Sequence, residues 1–170
     1  MITITHAHTT FAGCAALGAN VTLTDVGDAL LAQLRDNCKM NADVIDEGSC
    51  VVKEMRWGED ISKIGKFDLV ICSDLLYCAF RDGLETSLLS TIEYLVVGSQ
   101  TTAVLAFKVR IPDKEKLFMS DLAKRELNIK EVARSELDFS DLQPEGIFAS
   151  MFSHKDDTDI RLFLVNKKII

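Results

Sequence analysis

Phe67 to Asp74 reads FDLVICSD, a segment in which most side chains between its flanking polar residues are apolar. A strand of that make-up has no face to give to water, so it belongs in the interior of a parallel sheet covered by helices on both sides. The rest of the chain has to supply that cover. Short strands are predicted at Ile2 to Thr5, at Asn20 to Asp25 with Val21 and Leu23 on one face, at Cys50 to Arg56, and at Thr101 to Arg110. Between them lie helical patterns: Phe11 to Leu17, Gly27 to Met40, Leu84 to Val97 and Asp113 to Arg125. In the second of these, Leu30, Leu34 and Cys38 recur beside Leu31 as one apolar stripe.

Two further strand candidates, Ile129 to Glu136 and Asp159 to Asn166, have no helical pattern between them. They predict an antiparallel pair, joined by a long exposed connection from Leu137 to Thr158 that contains Pro144 and Gly146. No repeat or linker divides the sequence, so the reading is one α/β domain over residues 1–170, Rossmann-like, with a mostly parallel sheet closed by an antiparallel C-terminal hairpin.

The formal net charge is −7, and no Lys/Arg-dense stripe occurs, which argues against a partner held through nucleic-acid phosphates and favours a basic one. No apolar run is long enough to cross a bilayer. The first cationic side chain is Arg35, so the N-terminus lacks the charge pattern of a secretory signal. The five cysteines are odd in number and show no CxxC spacing, and they read as reduced thiols of a cytoplasmic or nuclear protein.

In open α/β sheets, ligands bind beyond the carboxyl ends of the strands. The residues at those ends are Asp25 after the second strand, Trp57 after the third, Asp74 and Tyr77 after the fourth, and the loop from His6 to Thr10 after the first. Plainer roles are open for each: Asp25 and Asp74 as helix caps, Trp57 as core, Tyr77 as a half-buried packing residue. His6 and His8 could share a strand face and ligate a metal, but the acidic candidates are better used elsewhere, and no metal is expected.

VTLTD, RWGED and FDLVICSDLLY, in that order and spacing, resemble the seven-β-strand protein-lysine methyltransferases, within which they are most similar to the subfamily acting on chaperones, an ATPase and translation factors. The resemblance implies a class I methyltransferase fold, S-adenosylmethionine as cofactor, and transfer of its methyl group to a lysine of a protein substrate. It assigns Asp25 to the ribose hydroxyls, Trp57 to the adenine, and Asp74 and Tyr77 to the place of methyl transfer, Asp74 also lying beside the cofactor. In the family, an acidic residue and three alternating glycines follow the first strand. Here those places fall on Ile4 and on His6, His8 and Thr10, of which Thr10 is still assigned to the cofactor. The lost glycines are expected to cost about 3–4 kcal/mol in strain and lost contact, weakening binding by roughly several hundredfold.

The first strand is shortened relative to the family and follows Met1 directly, as in a truncated paralogue or a displaced start. Such a strand in mid-sheet leaves apolar surface uncovered, and a homodimer is expected from it. A non-catalytic interaction module on the same fold is the alternative. A nicotinamide-dependent oxidoreductase fits less well, because no GxGxxG is present.

Overall fold

In the computed structural model, which describes residues 2–5, 14–45, 48–96, 100–136 and 159–168, the strands form one seven-stranded sheet. They are β1 (Ile2–Thr5), β2 (Asn20–Asp25), β3 (Ser49–Glu54), β4 (Leu69–Ser73), β5 (Thr102–Lys108), β6 (Leu127–Glu131) and β7 (Ile160–Lys167). The order is β3-β2-β1-β4-β5-β7-β6. The first five strands in that order are mutually parallel, and β7 runs antiparallel to both β5 and β6. The expected α/β class with its antiparallel closing pair is therefore present.

Four helices cover the sheet among the described residues: α1 (Asp28–Met40), α2 (Leu75–Asp82), α3 (Glu85–Leu95) and α4 (Pro112–Ala123). Alternation along β4 shows why both faces need cover. Val70 and Cys72 join the larger core with α2, α3 and α4, while Ile71 packs against the second cluster of Ala15, Val21, Leu23 and Leu34 on the α1 side. In β2 even Thr22 and Thr24 are buried, so this strand has no wet face. Leu31 and Leu34 are the buried residues of α1, whereas Leu30, assigned to the same stripe, is turned largely outward.

A helical turn at 14–16 ends in Gly18, whose φ of 83° is cheap only for glycine. The N–H groups of Ala19 and Gly18 donate to Cys14 and Ala15 carbonyls at 3.1 and 2.9 Å, the paired bonds of a Schellman cap. This turn feeds the chain directly into β2.

Several boundaries differ from the sequence reading. The strands predicted to reach Arg56, Asp74 and Arg110 stop at Glu54, Ser73 and Lys108, so the candidate site residues project from the sheet edge. Helix α2 is an addition: at eight residues it is too short to display a full period, although Leu75, Leu76, Ala79 and Phe80 bury one side of it. The predicted strand Ile129 to Glu136 becomes β6 followed by a 3-10 turn at Arg134–Glu136. Glu136 ends the strand by accepting from the Ala133 N–H at 3.0 Å and from Lys130 at 2.7 Å. The predicted connection from Leu137 to Thr158 lies outside the described residues, as do the first three residues, 11–13, of the helix predicted from Phe11 to Leu17. No helix of the described residues is long and apolar enough to cross a membrane.

The reading of all five cysteines as free thiols is corrected. Cys38, near the end of α1, and Cys50, in β3, are joined in a disulfide with Cα atoms 6.2 Å apart. Spacing could not reveal it, because the packing of α1 on β3 brings the two together. Cys14, Cys72 and Cys78 are thiols outside that disulfide. Burial pushes the Cys72 thiol up to about 12, so almost none of it is reactive thiolate at neutral pH. Iodoacetamide at pH 8 should therefore modify Cys14 in the native chain and leave Cys72 intact until denaturant is added, as read by mass spectrometry. Reduction of the disulfide should lower stability by about 3 kcal/mol, the entropy of closing a loop of this length, read as a shift in the urea midpoint.

Candidate active site

The parallel strands β2, β1 and β4 end side by side, with Thr5 of β1 in register with Thr24 on one side and Cys72 on the other. The order of connection reverses at this point, where open α/β sheets form their ligand crevice. Asp25 closes β2 and is buried, at 6% exposure. One of its carboxylate oxygens accepts from the Val26 N–H at 2.8 Å. The helix that follows is capped at Gly27 with no side-chain hydrogen bond, so Asp25 is not its cap.

Asp74 sits one residue beyond β4 with φ 58°, a left-handed conformation that aspartate tolerates better than most residues. Its N–H donates to the Ala106 carbonyl at 2.7 Å, continuing the β4–β5 ladder past the strand end. Although it occupies the cap position of α2, its side chain makes no capping bond. Both carboxylate oxygens instead receive the Arg110 guanidinium, at 2.5 and 2.8 Å. The same guanidinium lies over the Tyr77 ring, 5.1 Å from its centroid. Tyr77 is about half exposed, as its plainer packing role required, but its ring faces a cation.

Arg110 was missed in the sequence because the segment TTAVLAFKVR reads as strand to its end. Its signal is the one that exposed the other candidates, a polar residue at the carboxyl end of a parallel strand. Glu115 fixes the backbone there: buried at 4% exposure, it accepts from the Arg110 and Ile111 N–H groups at 2.8 and 3.0 Å. The carboxylate of Asp74 raises the Arg110 pKa further above its ordinary value, so the guanidinium is always charged.

Trp57 follows β3 on a turn and packs, partly buried, against the larger core. Its strand is held to that of Asp25 by full pairing of β2 with β3, and the Met55 N–H donates to the Asp25 carbonyl at 3.1 Å. On α2, the Cys78 thiol is raised by burial first and then, after the opposing pull of Arg81, by Asp82, Asp74 and Asp25. A cavity of about 150 Å³ beside the end of β3, lined by Glu54, Arg56, Glu59 and Asp60 among others, includes none of the predicted site residues. His6, His8 and Thr10 lie outside the described residues.

Residues 9–125 match the family model described as lysine methyltransferase. The chain belongs to that family. It is similar to the protein N-lysine methyltransferase METTL21A of Danio rerio, with 32% identity over 120 residues, 69% of this chain and 52% of the relative. The mouse (Mus musculus) METTL21A is 34% identical over 98 residues, covering 56% and 43% of the two chains. The chain thus spans about half the length of the curated relatives it matches. A methyltransferase from Pyrococcus furiosus has the same fold, with a TM-score of 0.62 over 99% of this chain and 75% of its own at 14% identity.

Family and fold together imply S-adenosylmethionine as the methyl donor. The donor set fits that molecule: a buried carboxylate suits a ribose diol, and an aromatic side chain on the turn after the neighbouring strand suits a flat purine.

The Asp74–Arg110 pair is 42% and 35% exposed. Solvent screening at that exposure limits it to about 1 kcal/mol, which makes it exchangeable rather than structural. Arg110→Gln should leave the urea midpoint within about 1 kcal/mol of wild type, and a loss well beyond that would show that the pair holds the fold.

Proposed function

We propose that this chain is the core of an S-adenosylmethionine-dependent protein N-lysine methyltransferase. The observation that carries the reading is the cation site at the end of β4, where the Asp74 carboxylate and the Tyr77 ring together receive a positive side chain. An incoming lysine offers the same charge on a slimmer stem, and the exposed pair with Arg110 is weak enough to be exchanged for it.

S-adenosylmethionine, when bound, supplies a methyl carbon on a positively charged sulfur that an uncharged amine can displace in line. Asp25 would hold the ribose and Trp57 would pack on or beside the adenine. Lysine's ordinary pKa of about 10.4 means that it arrives as an ammonium. Asp74 orients that ammonium, Tyr77 lines its path, and the amine gives its proton to water before attack. The substrate is a protein, of the chaperone, ATPase or translation-factor class that the sequence resemblance implies.

A second reading, an interaction module without catalysis, is favoured by His6, His8 and Thr10 standing where the family has glycines. Calorimetric titration with S-adenosylhomocysteine separates the two. The enzyme reading expects micromolar binding that Asp25→Ala weakens by at least about tenfold, and lysine labelling from tritiated S-adenosylmethionine that Asp74→Ala abolishes. No heat at millimolar ligand, with heat regained once glycine is placed at 6, 8 and 10, would assign the chain to the second reading.

A further inference from the structure

The Trp57–Gly58 turn is fastened to α3 by a contact that sequence proximity does not suggest. The turn is closed by the Glu59 N–H donating to the Arg56 carbonyl at 3.3 Å. Gly58 is its third residue, with φ 81°, the position at which a type II turn requires glycine. That closure leaves the Gly58 N–H without a partner inside the turn, and it donates to the Thr91 hydroxyl at 3.0 Å.

Thr91 is built for this. It is 3% exposed, and its hydroxyl donates to the Ser87 carbonyl one helical turn back at 2.9 Å. The hydroxyl hydrogen is thus committed to the helix, and an oxygen lone pair is aimed at the turn. The approach is close. A Cβ on Gly58 would stand 2.7 Å from the Ser87 Oγ and 2.9 Å from its Cβ. Glycine is therefore demanded twice, by its torsion and by the helix surface.

The turn's one aromatic side chain, Trp57, stands one peptide from the anchored N–H. Two residues before Trp57, the Met55 N–H is bonded to the carbonyl of Asp25. The segment from Met55 to Gly58 is thus pinned at one end to the strand end that presents Asp25 and at the other to α3. Such a frame fixes the distance between a carboxylate and an aromatic side chain, which a rigid ligand with a sugar at one end and a purine at the other would read.

We propose that Thr91 is a positioning residue of the cofactor site: through its hydrogen bond to the Gly58 N–H it sets Trp57 against the adenine while Asp25 holds the ribose. This rests on the S-adenosylmethionine reading above. Thr91 touches no ligand itself and acts only through the turn.

Trp57 is the single tryptophan of the chain, so its fluorescence reports the turn directly. Thr91→Val keeps the volume and removes the acceptor. At a temperature where far-UV circular dichroism is that of wild type, it should shift the Trp57 emission to the red, increase quenching by acrylamide, and raise the dissociation constant for S-adenosylhomocysteine about tenfold, toward the upper end of what one buried hydrogen bond contributes. Thr91→Ser, which keeps a hydroxyl, should leave all three readouts as in wild type. Gly58→Ala, which keeps Thr91 but sets a Cβ against Ser87 and so lifts the turn from α3, should reproduce the loss. An unmoved Trp57 emission in Thr91→Val overturns the anchor, and an altered emission with unchanged affinity overturns its service to the cofactor. A wild-type chain whose emission and heat ignore S-adenosylhomocysteine overturns the cofactor reading and Thr91's role with it, a result told apart because it needs no variant.

Discussion

The pairing of β1 with β2 on one side and β4 on the other is the constraint on which the rest of the structure depends. Parallel strands need crossovers through helices, and the crossovers here turn one way from β1 toward β3 and the other way toward β5. The order of connection therefore reverses at β1, and Asp25 and Asp74 stand at the carboxyl ends of its two neighbours. At four residues β1 is the shortest strand of the sheet. Its place is held by two neighbours whose apolar residues are buried on both faces of the sheet.

The polar groups at that edge are not equivalent, and burial separates them. Asp25 and Glu115 are almost wholly withdrawn from water, and both accept backbone N–H groups, so each is an element of the scaffold as well as a charge. Asp74 and Arg110 are open to solvent despite bidentate geometry, and their bond is correspondingly cheap to exchange. A site that admits a charged side chain needs this division: fixed groups to hold the constant ligand, and a weak, always-charged surrogate where the variable one arrives.

Much of this was legible from residue patterns. The apolar run around Ile71 announced a doubly covered parallel strand, the missing helix before Asp159 announced the antiparallel closure, and the strand-end rule picked Asp25, Trp57, Asp74 and Tyr77. The less legible parts share one property. Helix α2 is too short to show its period, β6 is stopped by Glu136 folding back rather than by a breaker, and Arg110 is hidden in a segment that reads as strand throughout.

The sequence by itself determined which segments pair as strands, which residues stand at their carboxyl ends, and to which family the chain is similar, because those properties follow from local periodicity and from motifs a few residues long. Tertiary structure decided the partners. Asp74 meets Arg110 across 36 residues, Gly58 meets Thr91 across 33, and Cys38 meets Cys50 across 12. Each of these contacts exists only once the sheet has set its order, since the strands and helices that carry the two residues are brought together by the burial of apolar side chains elsewhere.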